Sequence, residues 1–116
     1  MIQVAEKGAF YEHLLAEQAA TWPIAKGVCF VSCREHRRWG LALQVTGQVL
    51  SAQQLRTALA RRFREAERFN DYFLFFDARQ AFVIWRGLPK GVSPAVPLDD
   101  IRSTQLALAG LEHLFD

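Results

Sequence analysis

The stretch FNDYFLFFDARQAFVIWRGLP, residues 69–89, constrains the fold more than any other. From Tyr72 to Phe76 every side chain is aromatic or aliphatic, and Ala81 to Trp85 repeats this after a short polar interruption. A strand with one dry face alternates apolar and polar residues. These two do not, so the sheet that holds them needs a layer on each face. Asp77 is suited to open a type I turn at Asp77–Gln80, which makes the pair a hairpin. A chain of 116 residues folds as one domain, residues 1–116, with a modest core. Its own helices supply one layer. The second falls to helices wrapped around both faces, to a second copy of the chain, or to a bound client.

The rest of the chain reads as alternating helices and strand pairs. Phe10, Tyr11, Leu14, Leu15, Ala19 and Trp22 recur at helical spacing, which predicts a helix over Gly8–Thr21 ended by Pro23. GVCFVSCREHRRWGLALQVTG then predicts two strands joined by the charged turn Arg34–Arg38. In the second, Trp39, Leu41, Leu43 and Val45 share one face and Gly40, Ala42, Gln44 and Thr46 the other, the mark of a half-buried antiparallel strand. QVTGQVLSAQQ leaves room only for an extension of that strand. Ser51 with Gln54 three residues on is a capping box. It opens a helix whose stripe is Leu55, Leu59, Phe63 and Ala66, with Ala58 and Phe69 beside it. Arg62 breaks this stripe, falling between Ala58 and Leu59 on the apolar arc. GLPKGVSPAVP is a Pro/Gly loop. Asp99 or Asp100 caps a last helix carrying Ile101, Leu108, Leu111 and Phe115. The expected architecture is an α+β domain in the order helix-strand-strand-helix-strand-strand-helix, with an antiparallel sheet packed against helices, the aromatic hairpin forming its inner pair.

Charge and composition narrow the function classes. Hydrophobic residues make up 51% of the chain, which excludes a disordered polypeptide. No apolar run approaches the roughly 18 residues that span a bilayer, so no membrane insertion is expected. The start of the chain lacks a secretory pattern, so the expected location is cytoplasmic. The net charge of +2 is small, but residues 34–86 hold ten arginines against five carboxylates. A nucleic-acid-binding regulator that uses the Arg-rich second helix and the 34–38 turn is therefore the alternative reading.

Chemistry is sparse. Cys29, Cys33 and His36 could be three zinc ligands, yet without the paired spacing of structural zinc sites or a nearby fourth ligand. On one strand the two thiols share a face about 13 Å apart, too far to pair. The Glu–His pairs at 12–13, 35–36 and 112–113 have no common spacing, and no glycine-rich phosphate loop joins a strand to a helix. No catalytic, cofactor or metal residues are assigned, and the chain is expected to be non-enzymatic.

With FYEHLLAEQAATW as first helix, LRTALARRFREAERF as second, YFLFFDARQAFVIWRGLP as last hairpin and LDDIRSTQLALAGLEHLF as closing helix, the chain resembles the class I chaperones of bacterial type III secretion. Their fold runs helix, three strands, helix, two strands, helix. The resemblance implies a cytoplasmic homodimer paired through residues 51–69 and 72–76. It would bind an extended segment of a secreted client protein, or a regulator, on apolar patches of helix and sheet, as chaperone or as adaptor. Trp39, Leu41, Arg62, Phe63, Phe73, Phe75, Phe82 and Trp85 are the expected dimer or partner contacts, Arg62 fixing register through polar bonds.

Overall fold

The computed structural model describes residues 1–88 and 96–115. Within them six strands form one sheet. In chain order the elements are β1 (Ile2–Gln3), α1 (Lys7–Leu15), β2 (Ala20–Ala25), β3 (Val28–Glu35), β4 (Arg38–Val45), α2 (Ala52–Arg64), α3 (Ala66–Phe69), β5 (Tyr72–Phe76), β6 (Phe82–Gly87) and α4 (Val96–Ala109), followed by a 3₁₀ turn at Glu112–Leu114. The sheet order is β1-β2-β3-β4-β6-β5, with β1 parallel to β2 and every other neighbouring pair antiparallel. The α+β class, with an antiparallel sheet packed against helices, is as expected from the sequence. The Pro/Gly loop expected at 87–97 lies, for residues 89–95, outside the described residues.

Three local expectations need correction. Helix α1 stops at Leu15, and the segment read as its end forms strand β2, so three strands rather than two lie between α1 and α2, and the short strand β1 precedes α1. The stop is a Schellman-type closure. Gln18 N–H donates to the His13 carbonyl (2.9 Å) and Glu17 N–H to that of Leu14 (3.1 Å), with Glu17 left-handed at φ 54°. Glycine normally marks this position; here glutamate fills it. Pro23 is accommodated in β2 at a register shift between Pro23 and Ala25, beyond the two residues that β1 covers. The second correction concerns Asp99, which lies inside the first turn of α4 rather than capping it. The third concerns the aromatic hairpin. Only β6 is interior, between β4 and β5, while β5 is the sheet's edge.

Other local readings match the structure. The Ser51 hydroxyl accepts from Gln54 N–H (3.1 Å) and the Gln54 side chain accepts from Ser51 N–H (2.8 Å), closing the capping box at α2. Ser51→Ala should therefore cost about 1 kcal/mol, read as a shift of the urea midpoint with unchanged slope. Asp77 organises the β5–β6 turn: its carboxylate accepts from the backbone of Arg79 (2.8 Å) and Ala81 (3.0 Å) and from the Gln44 amide (2.9 Å). These donors, the Ala81 N–H foremost, hold its carboxyl below the usual range.

One face of the sheet meets the helices. Phe10 and Leu14 from α1, Leu98, Leu106 and Leu108 from α4, and Trp22, Phe30, Leu41, Leu43, Phe82 and Ile84 from the strands are buried in one core. Each such side chain contributes about 1.5–3 kcal/mol relative to exposure. Three polar residues, Ser32, Arg102 and Gln105, are sealed inside this layer. The Gln105 amide of α4 donates to the carbonyls of Leu41 (2.8 Å) and Ile84 (2.9 Å), tying the helix across β4 and β6. Arg102, 1% exposed, donates to the Tyr11 hydroxyl (2.6 Å) and to Asp99 (3.2 Å). Its guanidinium lies within 5.5 Å of the Trp22 and Phe30 ring centres.

The opposite face answers the question raised by the hairpin. Val31, Ala42, Val83 and Trp85 are buried there, with Cys29, Cys33 and Phe75 packed beside them, and this cluster contains no helical residue. Trp85 lies flat over Gly40, where an added Cβ would meet its ring at 2.5 Å. Phe73 (5.9 Å between ring centres) and His36 (5.7 Å) close over the indole. His36 reaches it because His36 and Arg37, at φ 51° and 65°, make the two-residue turn of the β3–β4 hairpin. At Trp85 the second face is thus covered by the sheet's own aromatic side chains and His36.

Candidate functional site

The free edge of β5 and the flank of α2 beside it form the most exposed apolar surface. At about 100° of rotation per residue, α2 splits into distinct flanks. Ala58 faces the core and is its one fully buried residue. On one side Arg61 donates through Nη1 to the Ala107 carbonyl of α4. On the other, Arg62 donates through Nε to the Tyr72 carbonyl of β5 (2.9 Å). Arg62 therefore sits on the apolar arc because it bonds strand backbone there. Beyond it on the same flank come Leu59, 46% exposed, and Phe63, 87% exposed.

The edge itself is half satisfied. Asp77 N–H donates to the Ala81 carbonyl (3.0 Å), so by antiparallel alternation Phe73 and Phe75 direct their backbone groups to β6. Tyr72, Leu74 and Phe76 direct theirs outward. Arg62 takes the first of these carbonyls; Leu74 and Phe76 remain on the open edge, which can accept another strand. The Phe73 and Phe76 side chains are 43% and 49% exposed on opposite faces of β5.

Of the eight residues expected to contact a partner, the structure gathers Arg62, Phe63, Phe73 and Phe75 around this edge. The other four lie elsewhere. Leu41 (0% exposed), Phe82 (2%) and Trp85 (1%) are buried in the chain's own packing, where no partner reaches them without unfolding. Trp39 packs against the core, and its indole donates to the Ser32 hydroxyl (2.8 Å), which in turn donates to the Gln18 carbonyl (2.9 Å). Leu41, Phe82 and Trp85 are thus enclosed by the chain's own packing on central strands, and Trp39 is half-buried against the core. Leu59 and Phe76 were missed, though their place beside the expected contacts was readable from spacing.

A shallow groove of about 460 Å³ crosses the second sheet face, lined by Val31, Cys33, Ala42, Phe75 and Val83 with Asp77 at its rim. The Cys33 thiol is pushed up to about 12 by burial and by Glu35, and burial also raises that of Cys29. Both thiols are thus protonated and weakly nucleophilic at neutral pH. The Cys29 thiol donates to the Gln44 side chain (3.4 Å), and the His36 ring stacks near Phe73 (5.2 Å). Among the described residues no group of three or more His, Cys, Asp or Glu side chains is placed to hold a metal ion. No described helix is long and apolar enough to cross a membrane.

Neither the curated proteins nor the solved structures offer a match to this chain. Its family is nonetheless defined: residues 1–113 match the model of the HrpV-like proteins, and the chain belongs to that type III secretion-associated family.

Proposed function

We propose that this protein works by binding protein rather than by catalysis, as a chaperone-like adaptor or regulator of type III secretion. In this reading it is a cytoplasmic homodimer. Two copies pair through the α2 flank and the β5 edge, and a client or regulatory protein is held on apolar surface that remains. The observation that carries the reading is Phe63, 87% exposed beside an open strand edge. A large aromatic left in water next to unpaired backbone is characteristic of a contact surface rather than of a free monomer. Membership of a secretion-associated family supports it as well, and so does the order from α1 onward: a helix, three strands, the helical segment α2–α3, two strands and a helix.

Sedimentation equilibrium tests the pairing directly. The wild-type chain should sediment at twice its 13.2 kDa mass at micromolar concentration. Phe63→Asp should sediment as a monomer while keeping the wild-type circular dichroism, because an exposed side chain contributes within about 0.5 kcal/mol to folding. A monomeric wild type under those conditions overturns the homodimer.

A further inference from the structure

The outward face of α2, away from the core-facing Ala58, carries a second surface that is polar where the neighbouring Phe63 flank is apolar. A groove of about 360 Å³ runs along it, lined by Gln53, Arg56, Ala60, Arg61, Arg64 and Glu65. Three arginine side chains thus line one groove. Arg61 is held by its bond to the Ala107 carbonyl, and Arg56 donates to the Gln53 side chain (3.3 Å). Each of these bonds uses one of five N–H donors, so the forks are positioned and most of their donors remain available. Glu65 lines the same groove, but its carboxylate is taken by Arg68 on the next turn (3.3 Å). Among the described residues no ion pair involves Arg56, Arg61 or Arg64.

We infer that this groove takes an acidic segment of a partner protein, with carboxylates entering between Arg56, Arg61 and Arg64. Planar guanidinium forks match carboxylates in bidentate geometry, and two of the three are already oriented, which lowers the entropic cost of binding. The groove suits a short acidic peptide better than nucleic acid. A phosphate backbone needs a long track of cations, and here Glu65 and Glu67 interrupt the basic surface after three arginines. Arg61 and Arg64 lie away from the flank proposed for pairing, while Arg56, seven residues before Phe63, borders it.

The test uses the full-length protein and two labelled probes of equal charge, hexaglutamate and an oligothymidylate with six phosphates. Their binding is followed by fluorescence anisotropy at about 50 mM salt, where screening is modest. Hexaglutamate should bind, and Arg56→Glu with Arg64→Glu should weaken it at least about tenfold by reversing two contacts. Arg56→Ala with Arg64→Ala provides the milder pair should reversal disturb folding. The uncharged Phe63→Ala should leave peptide binding unchanged even where it abolishes pairing, which separates this inference from the homodimer. No peptide binding, or equal binding by wild type and both double variants, overturns it. Tighter oligothymidylate binding lost in the same variants would overturn it in favour of nucleic acid. Loss of self-association in the arginine variants would overturn it in favour of a second copy.

Discussion

Arg102→Ala should be among the most damaging single substitutions in the chain, lowering stability by about 3–5 kcal/mol. The side chain is 1% exposed, bonded to Tyr11 and Asp99, and packed among Trp22, Phe30 and Phe115. Truncation removes the buried cation and leaves a cavity. It also leaves the Tyr11 hydroxyl, which donates to Asp99 (2.5 Å), without its second partner. Chemical denaturation measures the loss; a cost under about 1 kcal/mol would mean that water enters and replaces the guanidinium.

The same cluster sets two pH limits. Burial works against the Asp99 carboxylate, but the Tyr11 hydroxyl, Arg102 and Lys7 outweigh it and hold its pKa below the ordinary 3.8. A carboxyl with a lowered folded pKa contributes stability that is present above the unfolded value and lost as pH falls through the folded one. Tyr11 behaves oppositely. Burial, and then the Asp99 carboxylate, raise its pKa above the usual 10.0. The unfolded chain releases that proton first, so stability should fall as pH climbs past 10.0. Denaturation midpoints across pH should show both slopes, and Arg102→Ala should flatten the acid one.

Gly40→Val is the second large effect. A Cβ at this position would lie 2.5 Å from the Arg86 carbonyl oxygen and 2.5 Å from the Trp85 ring. Neither obstacle is the free end of a flexible side chain. The oxygen belongs to the neighbouring strand, and the ring is wedged beneath His36 and Phe73. Overpacking of this kind costs about 3 kcal/mol or more, at the upper end of its range. Trp85→Ala alone should cost about 3–5 kcal/mol. Together the two should cost clearly less than their sum, because removal of the indole relieves half of the clash. Strict additivity in thermal or urea unfolding would show that ring and glycine do not interact.

How much of this was legible in the sequence follows from which signals are local. The capping box at Ser51, the alternation of β4 and the Asp77 turn are each set by a few adjacent residues, and each was readable. The lack of alternation in the aromatic hairpin correctly announced two apolar faces. What closes the second face, Trp85 lying over Gly40 beneath Phe73 and His36, brings together residues up to 49 positions apart, and no window contains it. Strand β2 was hidden because Glu17, not glycine, ends α1, while Trp22 continued the helical spacing by coincidence. Arg62 was flagged as out of place without its partner, since the Tyr72 carbonyl becomes a target only once β5 is at an edge. Gln105 and Arg102 carry no local mark of burial, because what satisfies them lies mainly in distant strands and α1.

The edge position of β5 has a consequence for how the protein must be produced. An aromatic strand with open backbone groups is a template for any other extended chain, including nascent copies of itself. Arg62 blocks one carbonyl at its start, a single gatekeeper for five residues. Synthesis in excess of whatever normally seals that edge should therefore drive the chain into insoluble aggregates. Its soluble yield becomes a readout of partner supply: co-expression of a true edge partner should raise it, before any binding constant is measured.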